Sequence, residues 1–102
     1  MGKVVFNVVI TPSAQHDLDR ILDYTQQEWG LRQMKVYGAK LAAALKQIQH
    51  QPYSGVAVSE VGIGMRRLVV GSHAVFYRPQ EKSIIIYRFA HQSVNWERLY
   101  VG

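Results

Sequence analysis

The sequence predicts one α+β domain covering residues 1–102: an N-terminal strand, an antiparallel helix hairpin, a three-stranded antiparallel meander and a short C-terminal helix. Three observations support this. Residues 4–10 are rich in β-branched residues and a period of two begins at residue 65, apolar residues between positions 14 and 48 recur every three or four positions, and 102 residues leave room for one core. The helices should cover one face of the sheet.

The first strand leads directly into the first helix. Residues 4–10 read as a strand, after which Thr11 is suited to cap a helix and Pro12 to occupy its first turn. Gly30 supplies the stop. Between them one helix face is formed by Ala14, Leu18, Ile21, Leu22, Thr25 and Trp29.

A second helical pattern begins almost at once and ends at Pro52. Because the connection is short, the two helices should pack as an antiparallel hairpin. The apolar stripe of this second helix consists of Met34, Tyr37, Leu41, Leu45 and Ile48.

The meander is predicted from a change of period to two. Residues 53–64 are loop-like, and residues 65–70 and 73–78 flank a two-residue turn at 71–72. That turn places Val70 opposite His73, Leu68 opposite Val75, and Arg66 opposite Tyr77. Residues 79–82 make the next turn and 83–91 the last strand, and residues 93–99 are predicted to form a short helix capped by Ser93.

Composition excludes several classes of site. The chain has no cysteine, which removes disulfides, thiolate nucleophiles and Cys-ligated metals, and it fits a cytoplasmic location. No apolar run is long enough to span a membrane. Nucleotide-binding and hydrolase signatures are missing, so neither a cofactor nor a metal is expected. The histidines lie scattered at His16, His50, His73 and His91.

The charge pattern points to a partner. A net charge of +5 predicts attraction to a polyanion or an acidic protein, although a basic soluble domain would look the same. The predicted strands carry Arg66, Arg67, Arg78 and Arg88, each of which must face solvent or pair when buried. They form either a cationic sheet face that docks phosphates or an acidic peptide, or a solvated face whose arginine stems cover apolar rows.

Two aromatic residues near the C-terminus extend this candidate surface. Trp96 and Tyr100 flank Arg98 and are of the type enriched at interfaces. The alternative is that Trp96 folds back to cap the core.

Three segments together resemble ParE-type toxins of the ParE/RelE superfamily: TPSAQHDLDRILDYTQQEWG, GMRRLVVGSHAVFYR and IIIYRFAHQSVNW. The resemblance covers essentially the whole chain in the right order. It implies a toxin that binds and poisons DNA gyrase without a cofactor and is neutralised by an antitoxin encoded with it. It suggests target contacts at Arg66, Arg67, Arg78, Arg88, His91, Trp96 and Tyr100.

Two alternatives stay open. RelE-like relatives are ribosome-dependent mRNA endoribonucleases that need no metal, and Glu60 as base, Arg67 on the phosphate and His91 as acid could supply such a site. Against this, the chain has no lysine between Lys46 and Lys82, where many such enzymes carry one, and a loop glutamate commonly just pairs with a neighbouring arginine. The other alternative is an inactive structural module, and homodimerisation is compatible with all three.

Overall fold

The computed structural model describes residues 5–95, and it confirms the predicted α+β class. The order of its elements is β1 (Asn7–Ile10), α1 (Pro12–Trp29), α2 (Leu31–His50), β2 (Val56–Ala57), β3 (Arg66–Val70), β4 (His73–Pro79) and β5 (Ser83–His91). The strands form a single sheet in the order β1-β5-β4-β3-β2. β1 runs parallel to β5, and the other neighbours are antiparallel.

Thr11 joins the first strand, the first helix and the last strand. Its hydroxyl accepts a hydrogen bond from the Ala14 N–H at 3.1 Å and donates one to the Tyr87 carbonyl at 3.2 Å. The predicted cap is therefore confirmed, and it also satisfies a β5 carbonyl just beyond the point where β1 ends. Gly30, at φ 91°, separates the two helices as predicted.

The predicted register of the β3–β4 hairpin is confirmed at each of the three proposed residue pairs. Gly71 has φ 58°, and a Cβ atom there would approach the ring of Tyr37 to 2.8 Å. Glycine is needed at this position both for the turn and for the close approach of α2.

The main core lies between the helices and the sheet. It contains Ala14 and Ile48 from the helices and Val75, Tyr77, Ile84, Ile86 and Phe89 from the strands. A register shift at Phe76/Tyr77 adds one residue to β5, so that Phe76 stands opposite Arg88 and Tyr77 opposite Ile86. The other sheet face carries a smaller core beneath the 58–65 loop, made of Val58, Met65, Ala74 and Phe76.

The segment predicted as loop, residues 53–64, contains a short edge strand, β2. Both its residues are exposed and pair only with Arg66 and Arg67, so no alternation of polarity marked it in the sequence. The buried Tyr77 hydroxyl fixes this segment, because it donates to the Pro52 carbonyl and accepts from the Gly55 N–H, both at 2.9 Å.

The ends of the chain differ from the prediction. β1 begins at Asn7, because its ladder to β5 starts with the Asn7–Ser83 pair; residues 5–6 precede it, and residue 4 of the predicted strand lies outside the described residues. Ser93 lies in a turn and residues 94–95 are not helical, while the remainder of the predicted 93–99 helix lies outside the described residues. Between residues 5 and 95, no helix is long and apolar enough to cross a membrane.

Candidate functional site

An open groove of about 430 Å³ runs between the helix hairpin and the β3–β4 turn. We call it the hairpin groove. Its rim carries two aromatic side chains that remain largely exposed, Tyr24 at 62% and Trp29 at 71%. Large aromatic residues left exposed beside a concavity are typical of protein-binding surfaces. The groove is lined by Tyr24, Thr25, Trp29, Gln33, Tyr37, Ser72 and His73.

The position of the groove follows from the last turns of α1. Thr25 is buried, and its hydroxyl donates to the Ile21 carbonyl at 2.7 Å, so its side of α1 still faces the core at this turn. Trp29 continues the same apolar stripe in the sequence, yet it lies exposed at the helix end. Sequence reasoning therefore missed the groove. The available signal was a tryptophan as the last residue of α1, directly before Gly30.

His73 forms the inner wall through a hydrogen bond to Tyr37. The Tyr37 hydroxyl lies 2.5 Å from His73 Nδ1 and 3.2 Å from the Val70 carbonyl. Because a hydroxyl has one proton, both contacts are satisfied when Tyr37 donates to Val70 and accepts from Nδ1–H of His73. We therefore assign the Nδ1–H tautomer to His73. Burial lowers the pKa of His73 from its ordinary value of 6.5, and the nearby His91 lowers it further.

His91 lies against His73 and extends the groove. The two rings are 5.8 Å apart and meet edge to face. His91 Nδ1 accepts from the Ser93 N–H at 3.2 Å and contacts the Ser93 hydroxyl at 2.7 Å, so this residue also fixes the turn after β5. A second recess of about 310 Å³ continues the groove past His73 and is lined by Asp17, Arg20, Ile21, Tyr24, Phe89, Ala90 and His91.

The lowered pKa of His73 predicts a loss of stability in acid. The unfolded chain takes up a proton near pH 6.5, whereas the folded chain resists protonation until lower pH. The contribution is therefore fully present above pH 6.5 and is lost as the pH falls through the folded-state pKa. Thermal melts across a pH series should show it, and His73→Gln should remove that part of the slope. His16→Gln, at an exposed position of α1, is the matched control. An unchanged slope in His73→Gln would contradict the assignment.

Arg88 is neutralised within the fold. Its Nε lies 2.6 Å from Asp17 Oδ2, and a second nitrogen lies 3.0 Å from Oδ1. The same carboxylate accepts the Phe89 N–H at 3.1 Å. This bond connects α1 to the part of β5 that extends beyond its pairing with β1. The hydrogen bonds that Arg88 donates to the Asp17 carboxylate raise the pKa of Arg88. The structure thus places this predicted target contact in a two-pronged ion pair.

The other three sheet arginines contact loop carbonyls and tyrosine rings. Arg66 donates to the Gly55 carbonyl at 2.6 Å and lies over the Tyr53 ring. Arg67 donates to the Gln92 carbonyl at 2.7 Å, and Arg78 lies over the Tyr87 ring. All of them are half-buried. The structure therefore does not gather the four arginines on one open cationic face, and Trp96 and Tyr100 lie outside the described residues.

The residues suggested for a nuclease come from different parts of the sheet. Leu68 packs on the helix-facing core, so the adjacent Arg67 projects from the opposite sheet face. His91 lies on the helix side, beside His73, which contacts α2 through Tyr37. Glu60 is exposed in the turn that follows β2. Among residues 5–95 no cluster of three metal-ligating side chains occurs.

Sequence comparison identifies related proteins. Residues 8–96 match the family model described as the ParE toxin of the type II toxin–antitoxin system parDE. Toxin ParE1 of Caulobacter vibrioides is 40% identical over 82 residues, which cover 80% of this chain and 84% of that protein. Toxin ParE1 of Mycobacterium tuberculosis is 35% identical over 91 residues, which cover 88% of this chain and 93% of that protein.

Solved structures share the fold. A chain of the chromosomal ParDE system of P. aeruginosa superposes with a TM-score of 0.73 at 21% identity, covering 85% of this chain and 96% of that one. A chain of the RelBE2 toxin–antitoxin complex of Mycobacterium tuberculosis gives 0.60 at 19% identity, covering 87% and 100%. A chain of the YoeB–YefM complex of Staphylococcus aureus gives 0.57 at 20% identity, covering 85% and 97%.

Proposed function

Because the chain belongs to the ParE toxin family of type II toxin–antitoxin systems, we propose that it poisons DNA gyrase by binding and is neutralised by a cognate antitoxin that docks in the hairpin groove. The exposed pair of Tyr24 and Trp29 on the groove rim is the observation that supports the docking site. Because gyrase acts on DNA inside the cell, this target implies that the toxin acts in the cytoplasm.

An antitoxin segment fits the chemistry of this groove. Burying a tryptophan and a tyrosine that are both mostly exposed supplies the apolar area that drives such binding. Gln33, Ser72 and the outward nitrogen of His73 offer hydrogen-bonding groups around them. Two of the fold neighbours are described as toxin–antitoxin systems or complexes, which supports a partner of this kind.

The arrangement of the side chains favours binding over turnover. Arg67 donates to the Gln92 carbonyl and His91 Nδ1 contacts Ser93, so both groups of the suggested nuclease already hold the turn after β5. For gyrase contact we propose the outward parts of Arg66, Arg67 and Arg78, with His91, Trp96 and Tyr100, while Arg88 contributes through its support of β5.

Incubating the purified chain with purified gyrase and plasmid DNA tests this function. Supercoiling should be inhibited and cleaved plasmid should accumulate after protein denaturation, and excess antitoxin should abolish both. Glu60→Gln should leave the effect intact, because the exposed Glu60 has no role in a binding poison.

Other outcomes identify the alternatives. Unaffected gyrase together with ribosome-dependent mRNA cleavage that is lost in Glu60→Gln would establish the nuclease and overturn the gyrase proposal. Inertness in both assays, with intact folding, would favour a structural or dimerising module.

A further inference from the structure

The outward side of α2 carries cations that form no ion pair within residues 5–95. Within Leu31–His50 there is no aspartate or glutamate, and the salt bridge formed between side chains of residues 5–95 joins Arg88 to Asp17. The four basic residues of α2 are all exposed, and none pairs with a described carboxylate: Arg32, Lys35, Lys40 and Lys46.

Three of these cations form an extended face. Leu41, Ala44 and Ile48 turn one side of α2 toward the core, and at 3.6 residues per turn Arg32, Lys35 and Lys46 fall on the opposite side, whereas Lys40 lies on the flank of the helix. Arg32 and Lys46 are separated by about 21 Å along the helix axis. Small exposed residues occupy the surface between the charges: Ala39, Ala42 and Ala43.

The composition of this face selects the kind of partner. Lysine and alanine are depleted at protein–protein interfaces, where aromatic residues are enriched. The aromatic residues lie in the hairpin groove, whereas the larger apolar side chains on the α2 face are the aliphatic Leu31 and Val36, exposed to 50% and 46%. Lysine and arginine around a smooth surface instead suit phosphate groups.

The positive charge of Arg32 at the start of α2 is unfavourable for the helix. The N-terminal turn of a helix favours carboxylates and disfavours cations. The first turn of α2 has no acidic residue and contains Arg32, and Gly30 gives it no side-chain cap. A cation at this position that pairs with no carboxylate of residues 5–95 points to an external anion.

We propose that the outward side of α2 binds the phosphate backbone of double-stranded DNA, without reading its sequence. The alanines between the cations offer no donor or acceptor to base edges. This inference goes beyond gyrase poisoning, since contact with DNA requires only the toxin and a duplex.

Fluorescence anisotropy with a labelled random-sequence duplex and no gyrase tests the face. The logarithm of the association constant should fall with the logarithm of salt concentration with a slope of about −3, as three phosphate contacts require. Each of Arg32→Gln, Lys35→Gln and Lys46→Gln should weaken binding and reduce that slope by about 1. Lys82→Gln removes the same charge from the exposed β4–β5 turn and should leave the slope unchanged.

Arg32→Glu separates binding from folding. A carboxylate in the first turn should raise the midpoint of thermal unfolding while DNA affinity falls. The proposal is overturned if the wild-type chain shows no salt-dependent binding, or if Lys82→Gln weakens it as much as the α2 changes do. It is also overturned if polyglutamate of equal charge displaces the duplex efficiently, which would assign the face to an acidic protein. Because gyrase is absent, a negative result leaves the gyrase proposal standing.

Discussion

Replacing Asp17 with alanine is expected to lower the free energy of unfolding by about 2–4 kcal/mol. The change removes both hydrogen bonds to Arg88 and leaves the Phe89 N–H without its acceptor. The Asp17 side chain is only 12% exposed, so water cannot fully replace it, while the 30% exposure of Arg88 keeps the loss below that of a fully buried pair. Urea unfolding measures the effect.

The helix provides its own controls. Asp23→Ala changes an exposed carboxylate of the same helix and should alter stability by less than about 0.5 kcal/mol. Asp17→Asn should fall between the two, because it keeps an acceptor for Phe89 but loses the charge that Arg88 requires. Equal losses in Asp17→Ala and Asp23→Ala would show that the ion pair does not stabilise the fold.

The same pair determines how variants of Arg88 are interpreted. In Arg88→Glu, the new carboxylate would lie beside Asp17 and destabilise β5 by repulsion. Toxicity would then be lost for a structural reason, and the result would look the same as the loss of a target contact. Combining Asp17→Arg with Arg88→Asp restores opposite charges. If toxicity returns in the combined variant, Arg88 acts by supporting β5. If folding returns without toxicity, the guanidinium of Arg88 itself contacts the target.

Local signals explain why the hairpins could be predicted. Thr11, Pro12, Gly30 and the 71–72 turn each dictate backbone conformation through their own chemistry, so the cap, the helix boundary and the β3–β4 register followed from neighbouring residues. The strand β2 escaped detection because it consists of two exposed residues held by the remote Tyr77 hydroxyl.

Partners distant in sequence explain why the site could not be predicted in full. Strand alternation placed Arg66 and Arg67 on opposite faces, but it could not show that carbonyls of Gly55 and Gln92 receive them. Asp17 precedes Arg88 by 71 residues, and only the packing of α1 on β5 brings the two together. The hairpin groove likewise depends on where α1 ends relative to the β3–β4 turn, which no local pattern encodes.

Trp29→Ala is expected to weaken antitoxin binding by about 30- to 1,000-fold, corresponding to about 2–4 kcal/mol, because central aromatic anchors dominate such interfaces. Folding should be nearly unchanged, since the side chain is 71% exposed in the free toxin. Titration calorimetry with the purified antitoxin measures the affinity. Ile63→Ala, which removes an 89% exposed apolar side chain from the 58–65 loop, is the control and should bind normally.

The same substitution distinguishes neutralisation from poisoning. If the groove holds the antitoxin and other surfaces contact gyrase and DNA, Trp29→Ala should still poison gyrase in vitro yet resist rescue by antitoxin in cells. If the variant binds antitoxin normally, the groove is not the docking site. If it loses gyrase poisoning while antitoxin binding persists, Trp29 belongs to the target surface, and the exposed aromatic rim would have to be reassigned from the neutralising partner to gyrase.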